Sequence, residues 1–169
     1  MSTDKITKLG LMLALSVIMG YVEYLIPLPI GIPGVKLGLA NIVILYVTVT
    51  CGPLEALLIL ILRILLNGFM FGNVFSMIFA FSGGIPAWLG MTFAHKFHKK
   101  LDLSLTGTGM IGGTIHNIGQ LTAAVFLVDQ LKVIYYLPIL LLSGLITGGI
   151  TGTLCMAVIR RLPHGRESI

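Results

Sequence analysis

Two pairs of polar side chains stand within strongly apolar stretches of this sequence. Arg63 and Asn67 are four residues apart, as are His116 and Gln120, with Asn117 between the latter two. Residues four apart share one face of an α-helix. A guanidinium, an imidazole and amides on neighbouring helices form a donor set for a small polar or anionic molecule, which charge-assisted hydrogen bonds would hold.

The stretches around these residues are typical of a membrane protein. Of the 169 residues, 56% are hydrophobic and 10% are charged, and the mean hydropathy is +1.02. A soluble domain has about 25% charged residues. At about 20 residues per span, the sequence predicts an all-α fold of six transmembrane helices in a single domain, residues 1–169.

The basic residues predict the orientation of these spans. We expect spans at 6–26, 37–51, 54–69, 73–93, 105–128 and 133–159, with a kink near Pro86 in the fourth. Alternation of six spans puts eight of the basic residues on one side, namely Lys5, Lys8, Lys96, Lys99, Lys100, Arg160, Arg161 and Arg166. Because cytoplasmic loops are rich in Lys and Arg, both termini are predicted to lie in the cytoplasm. This bias also accounts for the net charge of +5 without a nucleic-acid partner.

In this topology the polar intramembrane residues fall in the outer half or at the midplane, with Glu55 as the exception. The candidate binding residues are Glu23, Lys36, Asn41, Arg63, Asn67, His116, Asn117 and Gln120. They predict a cup that opens outward and is covered by the segment Pro29–Lys36. Glu23 is the expected counter-charge of either Arg63 or Lys36, and the sequence leaves both open. The alternative is that these groups only form hydrogen bonds between helices.

Motifs for catalysis are not found in the sequence. Gly107–Gly112 matches the dinucleotide pattern GxGxxG, but that pattern functions only between a strand and a helix. We interpret Gly109 and Gly113, with Gly144, Gly148 and Gly152 on the last span, as sites of close helix packing. His95 and His98 lie among lysines and suit an interfacial turn better than a metal site. We therefore expect no enzyme activity, no metal and no cofactor.

The run Ile32–Ile42 (IPGVKLGLANI), the Arg63–Asn67 pair and the run His116–Gln120 (HNIGQ) carry a family resemblance. Together they resemble the bacterial membrane family known as heptaprenyl diphosphate synthase component I or Gx transporter. The resemblance covers nearly the whole chain. That family is in turn similar, more loosely, to the substrate-binding S components of energy-coupling factor (ECF) vitamin transporters.

The ECF resemblance implies a six-helix protein of the bacterial cytoplasmic membrane that captures a nutrient or cofactor precursor on the outer face. A separate membrane scaffold and two ABC-type ATPases would supply the energy, and a smooth stripe formed by Gly10, Ala14, Ser16 and Gly20 would contact the scaffold. The sequence does not support the synthase activity in the family name. Prenyl transfer uses aspartate-rich motifs, and the chain has only three aspartates. The alternative is a non-catalytic membrane subunit of a prenyl-quinone biosynthesis or redox assembly.

Overall fold

A computed structural model describes residues 3–25, 38–128 and 131–161, and these residues form an all-helical bundle without strands. The helices are α1 (Thr3–Leu25), α2 (Asn41–Thr50), α3 (Pro53–Met70), α4 (Val74–Lys96), α5 (His98–Leu101), α6 (Leu105–Val128) and α7 (Leu137–Arg161). A 3-10 helix, Leu131–Tyr136, precedes α7.

Four of the described helical segments are long and apolar enough to cross a membrane: α1, α3, α4 and the stretch Lys132–Arg161. This confirms the all-helical, membrane-type fold. The count of six spans and the orientation of the termini stay predictions. Helix α6 has 24 residues and is not among these four segments.

Helix α2 departs most from the expected span because it has only ten residues. At ~1.5 Å per residue it covers about half of a ~30 Å hydrocarbon core. Its residues Val43–Thr48 are all buried, and the helix contacts α1, α3, α4, α6 and α7. A short apolar helix buried on all sides is a core element, so α2 fills the centre of the bundle.

Local sequence sets where α3 and α4 begin. Gly52 has φ of 121°, a conformation suited to glycine, and Pro53 occupies the first turn of α3. Asn73 and Ser76 form a reciprocal capping box at the start of α4. The two helices therefore reverse direction within the few residues between Met70 and Val74.

Helix α6 is held tightly against α7 by glycines on both helices. A Cβ atom added at Gly109 would lie 2.3 Å from the Gly148 carbonyl oxygen, and one at Gly113 would lie 2.4 Å from that of Gly144. Only glycine allows backbones to approach this closely. The predicted packing role of these glycines is confirmed.

The opposite side of α6 is equally close to α4. Helix α4 continues through Pro86, and proline cannot donate a hydrogen bond to the carbonyl four residues earlier, that of Ser82. This carbonyl faces Gly119, where an added Cβ would lie 1.9 Å from its oxygen. Helix α6 is thus fixed between α4 and α7, and so are the side chains that it carries.

Candidate functional site

A cleft opens at the end of the bundle where α1 and α3 end and α4 begins. Its empty volume is about 550 Å³, including the open mouth. Five of the eight candidate binding residues line it: Glu23, Arg63, Asn67, His116 and Gln120. They come from α1, α3 and α6, so the fold brings together residues that are distant in sequence. We call this the Arg63 cleft.

Arg63 supplies the charge of the cleft. Its side chain is only 6% exposed, and its Nε atom is buried without a hydrogen-bond partner among the described residues. The carboxylate of Glu23 is near enough to attract it electrostatically. Removing a guanidinium from water is costly unless acceptors replace the water. An anionic or carbonyl-bearing ligand would provide them.

Glu23 has a second, structural role in the cleft. It is 7% exposed and accepts a hydrogen bond from the backbone N–H of Leu39. This bond joins the end of α1 to the segment that leads into α2. Lys36, its other expected partner, lies outside the described residues, as does the predicted cover Pro29–Lys36.

Asn67 lies one turn after Arg63 on the same face of α3, as its spacing predicts. Its Oδ1 atom is buried and has no hydrogen-bond partner within the described ranges. Its Nδ2 atom is 2.0 Å from the position of a Cβ on Gly20. Gly20 therefore makes room for the Asn67 amide. Gly20 itself lies in the wall of the cleft.

The four residues of the expected docking stripe on α1 do not share one exposed surface. Ser16 is fully buried and Gly20 is also buried, whereas Gly10 and Ala14 are exposed. Positions 10 and 14 share a helical face, but positions 16 and 20 lie well round the helix from it. Ser16 and Gly20 cannot belong to a free docking surface, and Gly10 and Ala14 alone remain available.

His116 and Gln120 form the α6 wall, with 4% and 0% of their surfaces exposed. Gly83 of α4 packs directly on them. A Cβ at Gly83 would lie 2.8 Å from Cγ of Gln120 and 3.0 Å from Cε1 of His116. The sequence suggested only a kink at this glycine, and the structure shows that it makes space for two cleft residues.

Two of the candidate residues do not line the cleft. Asn117 is buried, but its Nδ2 atom donates to the backbone carbonyl of Leu140, 2.8 Å away on α7. It is a contact between helices, as the alternative interpretation held. Asn41 is buried at the start of α2, where its amide packs against Gly38 beside the cleft.

A model of the heptaprenyl diphosphate synthase component I family matches residues 12–158. The chain belongs to this family. The match extends from α1 to α7 and includes every residue of the Arg63 cleft named above. No curated protein and no solved structure matches the chain.

Sequence reasoning missed the apolar and small residues of the cleft in this component I family member. They are Tyr24, Gly38, Ile64, Gly68, Phe71, Gly72, Met77 and Ala80. In a chain that is mostly apolar, such residues carry no distinguishing signal. The spacing of Gly68 and Gly72 beside a helix end is the one pattern that could have indicated them.

The side chains of the Arg63 cleft are suited to binding a small molecule. Cation, carboxylate, imidazole and amides face one space, beside apolar walls that include Phe71 and Met77. No group of three His, Cys, Asp or Glu side chains suited to a metal occurs within residues 3–25, 38–128 and 131–161. Sites of this kind, mostly apolar with a few convergent polar groups, are typical of small-molecule binding.

Proposed function

We propose that this chain is a membrane-embedded binding subunit that takes a small anionic or polar molecule into the Arg63 cleft. One observation carries the proposal. A buried guanidinium faces a cleft that also contains the Oδ1 atom of Asn67, and among the described residues neither this oxygen nor the Nε atom of Arg63 has a hydrogen-bond partner. A ligand with carboxylate or phosphate oxygens and a hydrogen-bond donor would satisfy both atoms.

The transport role expected from the S-component resemblance extends this proposal. The basic residues of α4, α5 and α7 lie at the end opposite to the Arg63 cleft. If the excess of Lys and Arg marks the cytoplasmic side, the cleft faces outward. The chain would then capture a nutrient or cofactor precursor, and separate scaffold and ATPase subunits would energise its uptake.

Mass spectrometry of small molecules extracted from the purified protein tests the binding role. We expect one compound to be enriched in wild-type protein and lost from Gln120→Ala. Asn117→Ala is the matched control, because it removes a buried amide from the same helix that does not line the cleft. Equal retention by all three proteins, or no retained compound at all, would refute the proposal.

The family match favours a second candidate, a non-catalytic membrane component of a prenyl diphosphate synthase that acts with another component. It predicts co-purification with a prenyl synthase subunit from the native membrane. The transport proposal predicts co-purification with a membrane scaffold and ATPases. Identification of the partners by mass spectrometry separates these two roles.

A further inference from the structure

A second cleft lies at the other end of the bundle, where α4 ends, α6 begins and the last turns of α7 pass. Its empty volume is about 560 Å³, including its mouth. Its polar lining comes from His95, His98, Ser104, Thr108 and Arg160. We call it the Arg160 cleft. Its residue Thr108 is about 18 Å along α6 from Gln120 of the Arg63 cleft.

The two histidines form an ordered pair in this cleft. Their rings are stacked, with centroids 5.0 Å apart and planes 5° from parallel. Nδ1 of His98 lies 2.6 Å from the backbone carbonyl oxygen of His95, which fixes it as the donor of that bond and leaves Nε2 to other partners. Nδ1 of His95 is buried and has no hydrogen-bond partner among the described residues.

The start of α6 lies beside this pair, and Ser104 caps it. Ser104 accepts a hydrogen bond from the Gly107 N–H, and Thr108, fully buried, donates to the Ser104 carbonyl. The N–H groups in the first turn of a helix point outward and carry partial positive charge. Because the N–H groups of Gly107 and Thr108 are bonded to Ser104, this turn contributes the partial positive charge of the helix end to the cavity, not these two donors.

The surrounding charge is strongly positive. Arg160 lines the cleft, and Lys96, Lys99, Lys100 and Arg161 are exposed near it. Asp102 is the acidic side chain in the turn between α5 and α6. The remaining lining, Leu103, Leu105 and Met156, is apolar. The cleft therefore combines anion-binding groups with a hydrophobic wall.

We propose that the Arg160 cleft binds a phosphate group. A phosphate offers several acceptor oxygens, which match the Arg160 guanidinium, an imidazole N–H of His95 and the positive end of α6. The phosphate could belong to a lipid headgroup or to a soluble phosphate compound, since both present the same oxyanion. This site shares no residue with the Arg63 cleft, so it stands whether or not that cleft binds a ligand.

Two probes distinguish the sources. Inorganic phosphate is titrated by calorimetry into protein in dodecylmaltoside micelles, which contain no phosphate. Lipid retention is measured by native mass spectrometry after exchange into mixed micelles of dodecylmaltoside and phosphatidylglycerol. Both are repeated with Arg160→Gln and with Arg161→Gln, which removes the same charge one residue away but does not line the cleft.

We expect Arg160→Gln to weaken binding of the phosphate-bearing probe about tenfold, as loss of a charge-assisted hydrogen bond would. Arg161→Gln should bind like wild type. Binding of phosphatidylglycerol alone identifies a lipid headgroup, and binding of inorganic phosphate identifies a soluble source. Binding of neither probe, or equal losses in the two variants, would overturn the proposal, because equal losses mean diffuse surface charge.

Discussion

The glycine contact between α6 and α7 gives a sharp test of the fold through the variant Gly148→Ala. An added Cβ would lie 2.3 Å from the Gly109 carbonyl oxygen and 2.8 Å from the Met110 Cα. Ordinary contact begins at 3.4 Å, so the helices must separate by about 1.1 Å at this point. Both obstacles are backbone atoms, which no change of rotamer can move.

The expected cost follows from two opposing effects. Forcing a methyl group into a closely packed site costs about 1–3 kcal/mol. Replacing glycine by alanine within a helix returns up to about 1 kcal/mol. We expect Gly148→Ala to lower the free energy of unfolding by about 2 kcal/mol, taking packing costs towards the upper end because the backbone itself must move.

The matched control is Gly10→Ala on α1, where an added Cβ meets nothing within 4 Å. It should be neutral or slightly stabilising. Unfolding in mixed micelles of dodecylmaltoside and SDS, followed by far-UV circular dichroism, measures both variants. If Gly148→Ala proves as stable as Gly10→Ala, the described approach of α6 to α7 is wrong.

Three further variants test individual contacts. Asn117→Ala, which loses the bond to Leu140, should lower the free energy of unfolding by about 0.6–1.7 kcal/mol and leave ligand retention unchanged; reduced retention at full stability would place Asn117 in the site. Asn73→Ala removes the cap of α4 and should cost about 1 kcal/mol in the same unfolding assay; no change would argue against the capping box. Lys5→Gln breaks the partly exposed ion pair with Glu55 and should cost under about 1 kcal/mol, less in high salt; a large, salt-independent loss would contradict a surface pair.

The sequence predicted those parts of the fold that depend on local pattern. The glycines of the last two long helices indicated close packing, and the third span was expected from residue 54, one residue after the observed start of α3 at Pro53. The length of α2 was harder to predict. Whether a short apolar run crosses lipid or fills a protein core depends on its neighbours, and hydropathy is the same in both cases.

The candidate site was predicted in outline and corrected in detail. Helical spacing placed Arg63 with Asn67 and His116 with Gln120, and all four meet in one cleft. Helical spacing turns Asn117 about 100° away from His116, but it could not show that α7 lies in that direction. The same angle explains why Ser16 and Gly20 are buried while Gly10 and Ala14 are exposed.

If Arg63 holds a ligand in its cleft, as proposed, ligand affinity must fall in Arg63→Gln and Arg63→Lys. The compound extracted from wild-type protein is titrated into each variant after its stability has been measured. We expect Arg63→Gln to bind at least about tenfold more weakly, since it loses a charge-assisted hydrogen bond. Arg63→Lys keeps the charge and should fall between Arg63→Gln and wild type. Wild-type affinity in a folded Arg63→Gln protein would show that Arg63 does not bind the ligand.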